Sequence, residues 1–135
     1  MTEKEIYIEL ADRFVIAAKN NELSIHEAAG FECYHAYESL AGAFNSHLGN
    51  QVSRSHGKKL QNFAVNYYMN KTSSVNPYTV AGLVIKLNNL RNIFLYPENN
   101  GIDFNAPKNQ MSSNDVHKLI SQVSSIISKI VSSIK

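Results

Sequence analysis

Arg91 and Asn92, with Tyr96 one helical turn further on, place a guanidinium, a side-chain amide and a phenol at the end of a helical pattern that Pro97 stops. Arginine stays charged at any physiological pH and offers parallel N–H donors to a phosphate or carboxylate. The set therefore suits phosphate chemistry. A second concentration of charge, Arg54, His56, Lys58 and Lys59, lies in a stretch with no acid between Gln51 and Lys71. It reads either as the solvated start of a helix or as an anion site.

His35 and Glu38 stand in an otherwise apolar helical stretch, which makes them polar groups close to a core. Glu38 can pair with Arg91 inside the bundle, which would orient the guanidinium or make it purely structural. Three histidines are candidate proton acceptors, and each has a plainer reading: His35 as a hydrogen-bonded core residue, His56 as a helix-start residue, His117 as a surface residue. His26 and His47 are peripheral. Cys33, the only cysteine, excludes an internal disulfide and reads as a buried, inert thiol, because no neighbour in sequence activates it.

No His, Cys or carboxylate pair has a ligand spacing matched by a second pair, so neither metal nor cofactor is expected. Gly-rich phosphate loops and a nucleophile elbow are absent. With 135 residues, 44% hydrophobic and 18% charged, the chain has the composition of one ordinary globular domain spanning 1–135. A formal charge of +2 is too small to indicate nucleic acid by itself. No apolar run approaches the roughly 20 residues that cross a bilayer. Because Met1–Glu5 lacks a signal-peptide pattern, the expected compartment is the cytoplasm, with no membrane partner.

The elements that must position these residues are helical. Ile6, Leu10, Phe14, Ala17 and Ala18 recur at three- and four-residue steps between Glu3 and about Asn20. Ser24 and Glu27 have the spacing of a capping box for a second helix running to about Leu48 and closed by Gly49. Its apolar residues cover more than one face, which predicts the central helix. A third helix starts near Ser55 and carries Leu60, Phe63, Ala64, Tyr67 and Tyr68. A fourth follows Pro77 and ends at Pro97, and a loop from Glu98 to Met111 has no periodicity of its own. From about Ser113, Val116, Leu119, Ile120, Val123, Ile126, Ile127, Ile130 and Ile134 form one apolar stripe, read as core or in part as a self-association surface. The predicted fold is an all-α bundle of about five helices.

The helix order and three short motifs together resemble the HEPN superfamily, all-α domains named for nucleotide binding in higher eukaryotes and prokaryotes. The motifs are Glu32-Cys33-Tyr34-His35-Ala36-Tyr37-Glu38, Ser55-His56-Gly57-Lys58-Lys59-Leu60 with Phe63, and Arg91-Asn92-Ile93-Phe94-Leu95-Tyr96. In active members an arginine and a following polar residue precede a histidine, and two such motifs meet across a dimer in a metal-independent RNA-cleaving site. Arg91 and Asn92 match that pattern, whereas Tyr96 stands where the histidine would be. An imidazole of pKa about 6.5 exchanges protons near neutrality, but a phenol near 10 is only about one part in a thousand ionised at pH 7.

The resemblance implies a homodimeric module that binds RNA or a nucleotide through Arg91, Asn92 and Tyr96, with His35, Glu38, His56, Lys58 and Lys59 nearby. It implies a setting in toxin–antitoxin or phage-defence systems, beside a small nucleotidyltransferase as antitoxin partner, without full ribonuclease activity. Two alternatives stay open: a ribonuclease toxin using Arg91 with a base from elsewhere, and a structural adaptor in which Arg91 is a fold-stabilising ion pair.

Overall fold

A computed structural model of the chain describes residues 1–135. Helix α1 (Glu3–Asn21) opens on a capping box: Thr2 Oγ1 accepts from the Glu5 amide at 3.2 Å and the Thr2 amide donates to Glu5 Oε2 at 2.7 Å. Helix α2 (His26–His47) follows Ile25, which has no side-chain oxygen to cap it. The expected Ser24–Glu27 box does not form. Ser24 and Ile25 both donate their amides to Asn21 O, at 3.2 and 2.9 Å, so Ser24 belongs to the turn leaving α1. The chain leaves α2 through Gly49, whose φ of +77° suits glycine.

Helix α3 (His56–Met69) follows Ser55, and α4 (Pro77–Leu95) has Pro77 in its first turn, with Asn76 Oδ1 accepting from the Tyr78 amide at 2.8 Å. The loop from Glu98 to Met111, read as having no periodicity of its own, carries a small antiparallel ribbon, β1 (Glu98–Asn99) against β2 (Phe104–Asn105), and a one-turn helix α5 (Pro107–Gln110). Gly101, at φ +90°, makes the ribbon's turn together with Asn99 and Asn100, whose side chains accept nearby amides. Such Asx turns have no apolar period and leave no mark on a hydrophobicity pattern. Helix α6 (Ser113–Ile134) begins at a second capping box, Ser112 with Asp115.

The arrangement is the expected all-helical bundle, with α2 at its centre, touching α1, α3, α4, α5 and α6. Small residues on α2 (Ala29, Ala36, Ala41, Ala43) are fully buried and let its neighbours approach. Two glycines go further: a Cβ on Gly42 would stand 2.7 Å from the Tyr7 ring of α1, and one on Gly30 would meet the Phe94 ring of α4. Every member of the α6 stripe is buried in the same core, so none of that stripe is left for self-association. Buried phenols are satisfied by backbone carbonyls, Tyr37 donating to Val80 O in the first turns of α4 at 3.1 Å and Tyr67 to Val75 O in the preceding loop at 2.7 Å. No helix is long and apolar enough to cross a membrane.

Candidate functional site

Three helices bring the candidate residues together. On α2, Tyr34 and Glu38 are four positions apart and share a buried face, with His35 beside them. The first turn of α3 presents His56 and Lys59 toward that face, and the last turns of α4 present Arg91. Buried Asn45 ties α2 to α3, donating to Lys59 O at 3.5 Å and accepting from Asn66 at 3.0 Å.

Glu38 is the hub. Its Oε2 lies 2.6 Å from His56 Nδ1 and its Oε1 accepts from Lys59 Nζ at 3.4 Å. The Glu38 and Lys59 side chains are each only 10% exposed, whereas that of His56 is 51% exposed. A carboxylate can only accept, so Nδ1 carries the proton in this contact and Nε2, in the neutral ring, is left with its lone pair. The Glu38–Arg91 pair read as possible is not formed; His56 and Lys59 of α3 contact the two carboxylate oxygens instead.

Arg91 instead lies over the Tyr34 ring, its guanidinium carbon 5.7 Å from the centroid. It makes no ion pair, and its Nε is buried without a hydrogen-bond partner. Tyr34 is thus the platform of the site. Its place one turn before Glu38 was the signal available in the sequence.

His35 is half-buried among aromatic rings, stacked on Phe14 at 5.2 Å and edge-on to Phe31 at 4.4 Å, and it makes no hydrogen bond. It lies beside the core rather than within it, and the hydrogen bond expected of it is not made. Burial pushes the imidazole below its ordinary value; Glu38 works against this, while His56, Arg91 and Lys59 reinforce it. Tyr34 is pushed up, first by burial and then by the Glu38 carboxylate. These opposing influences place all six side chains in one electrostatic neighbourhood.

Asn92 is on another face of α4, and Tyr96 is the extended residue that follows the helix. Successive helical residues are about 100° apart, so Arg91 follows the core-facing line of Leu87 and Phe94 while Asn92 turns outward. With Ile93, Pro97, Glu98 and Gln110, Asn92 and Tyr96 line a groove of about 410 Å³. Gln110 fixes its wall by donating to Tyr96 O and Asn105 O, both at 3.0 Å. Arg91 does not line it, so within one chain the motif's three residues do not converge. Lys58 and Arg54 are exposed and apart from Glu38.

Of the other histidines, His47 is exposed and the remaining two make structural contacts. His26 Nε2 donates to Lys108 O at 2.6 Å and Met111 O at 2.9 Å, which ties the loop after α4 to the start of α2. His117 pairs with Glu22, joining α6 to the end of α1. Cys33 is buried and its thiol is pushed up to about 12, so it is a poor nucleophile. No group of three or more His, Cys, Asp or Glu side chains is arranged to hold a metal ion.

Comparison with protein-family models, with curated proteins and with solved structures finds no match to this chain in any of the three.

Proposed function

We propose that the chain is a HEPN-type module that binds RNA or a nucleotide through phosphate, with Arg91 as the principal phosphate contact. What supports this reading is the state of Arg91: a guanidinium stacked on Tyr34, free of any carboxylate, with a buried Nε that has no partner. Orienting an unpaired cation on an aromatic ring leaves its donors available to an anion. Exposed Asn92 and Tyr96 supply an amide and a ring on which a base can stack. Because Arg91 and the Asn92–Tyr96 groove face different ways, a homodimer is the arrangement in which both address one ligand. The natural setting is a toxin–antitoxin or phage-defence pair with a small nucleotidyltransferase as partner.

An adaptor role for the bundle would need Arg91 as a fold-stabilising ion pair, and Glu38 is engaged elsewhere. The test is binding of a mixed oligoribonucleotide pool at low salt by wild type and Arg91→Ala, with sedimentation to read the oligomer. The reading expects Arg91-dependent binding that weakens steeply as salt rises. No affinity for RNA or nucleotides at low salt overturns it.

A further inference from the structure

We propose that the outer face of the α3–α4 hairpin docks an acidic amphipathic helix of a partner protein. A groove of about 450 Å³ runs between the two helices, with Gly57, Ala64 and Val65 on the α3 side and Ala81, Ile85 and Asn88 on the α4 side. One turn beyond Val65 and one turn before Ala81, the rings of Tyr68 and Tyr78 meet edge to face, 6.1 Å between centroids. No residue lining this groove contacts Arg91 or belongs to the Asn92–Tyr96 groove, so it is a second face of the molecule.

Val65, Tyr68, Tyr78 and Ile85 are exposed. From Gly57 to Tyr68 the helix rises about 16 Å, roughly three turns, a length over which the ridge of a third helix can seat its apolar side chains. The glycines point the same way. Gly30 and Gly42 have the rings of Phe94 and Tyr7 against them, but a Cβ on Gly57 or Gly82 would meet nothing within 4 Å. Gly82 is inside α4, four residues after Tyr78 and three before Ile85, where glycine weakens a helix. Packing within the chain does not require it, whereas close approach of another backbone does.

Charge selects the occupant. Between Ser39 and Pro97 the chain has six Lys and Arg residues and no Asp or Glu. Two of the six are engaged, Lys59 by Glu38 and Arg91 by the Tyr34 ring. Arg54 and Lys71 flank α3, Lys58 stands two turns before Val65 on the same line of α3, and Lys86 follows Ile85. All four are exposed and none makes an ion pair. Lys58 is also in the first turn of α3, the positive end of the helix dipole, where a cation is unfavourable, so the helix itself does not account for it. A second copy presenting the same face would meet like charge, whereas a helix with Asp and Glu beside its apolar stripe meets opposite charge. The apolar floor does not serve a phosphate backbone, and the concavity does not serve a planar bilayer.

The probe is a labelled synthetic helix of about four turns with one apolar stripe flanked by glutamates, compared with a twin in which every glutamate is lysine. Binding to the full chain is read by fluorescence anisotropy at low salt, beside sedimentation of the chain alone and flotation with phosphatidylserine–phosphatidylcholine vesicles. The acidic helix should bind at least about tenfold more tightly than its lysine twin. Val65→Gln and Ile85→Gln should each weaken it about tenfold and leave RNA binding unchanged. Gly82→Leu should raise the melting temperature yet weaken the acidic helix, a pair of effects that a purely structural glycine would not give. Lys58→Glu combined with Lys86→Glu should reverse the preference in favour of the lysine twin. No binding of the acidic helix at about 1 mM, equal affinity for both twins, or Gly82→Leu binding as wild type overturns the proposal. It is overturned in favour of another occupant if an oligoribonucleotide displaces the helix, if vesicles bind and the helix does not, or if the chain alone self-associates through Val65 and Ile85.

Discussion

The ring of Phe94 on α4 occupies the space that a Cβ on Gly30 of α2 would need, with Cζ 2.7 Å from that position. Arg91 is three residues before Phe94 on the same side of α4, so the closeness of this contact also sets how far Arg91 reaches over α2. Gly30→Ala should therefore destabilise the fold by about 1–3 kcal/mol through overpacking, read as a lower denaturant midpoint. Phe94→Leu in the same chain should recover part of that loss, since the two residues share one volume. Equal loss in single and double variants would show that the contact does not set the spacing.

Arg91→Ala should alter binding far more than folding. With no ion pair to break, its removal forfeits little beyond a contact with the Tyr34 ring, on the order of 1 kcal/mol. Thermal melting should move by a few degrees at most, whereas RNA affinity at low salt should fall at least tenfold. Arg91→Lys should recover only part of the affinity, because an ammonium lacks the bidentate fork. A collapse of stability in Arg91→Ala would restore the adaptor reading.

Alkali should weaken the fold in a way that Cys33 accounts for in part. Its thiol is pushed up from 9.0 to about 12, chiefly by burial and further by Glu32 and Glu22. Between those values the unfolded chain has lost the proton while the folded chain keeps it. Stability is thus unaffected by this group below about pH 9 and falls as pH rises from there toward 12, by at most about 1.4 kcal/mol per pH unit. Tyr34 and Tyr37 are pushed up as well and add to the loss at higher pH. Urea titrations from pH 8 upward should show a shallower decline for Cys33→Ala than for wild type, and identical slopes would contradict this assignment.

His26→Ala should release the segment between α4 and α6 while leaving the bundle folded. The imidazole is the bridge from α2 to the carbonyls of Lys108 and Met111, so its loss costs about 1 kcal/mol or less of global stability. Amide exchange across residues 98–111 should accelerate, with α2 and α6 unchanged. The Gln110 wall of the Asn92–Tyr96 groove should loosen with it, weakening any ligand that the groove holds.

The five long helices were readable from their apolar periods, and Pro77 marked the start of α4 as expected, but the faces were not all placed correctly: Ile6 of α1 and Tyr68 of α3 are exposed, and α1 buries Ile8 and Ala11 instead. Ser24 misled because its box spacing was met while its amide was already committed to Asn21. The ribbon at Glu98–Asn105 was invisible, since asparagine turns rather than apolar alternation build it. At the site, spacing along the chain brought out Arg91, Asn92 and Tyr96 as one motif, yet adjacent helical residues diverge in space. Glu38 was assigned to Arg91 because both are polar groups near the core. Only the packing of α3 on α2 decides that His56 and Lys59 reach it first.

The burial of the α6 stripe against α2 has a consequence in time as well as in space. The central helix is made early and its closing partner late, so a nascent chain presents α2 with one side open until Val116–Ile134 has emerged from the ribosome. A chain arrested before Ser113 should remain sensitive to protease across α2 and should interact with chaperones. Release of α6 is then the event that converts an exposed intermediate into the closed bundle, and only after it can Tyr34, Glu38, His56 and Arg91 hold their places.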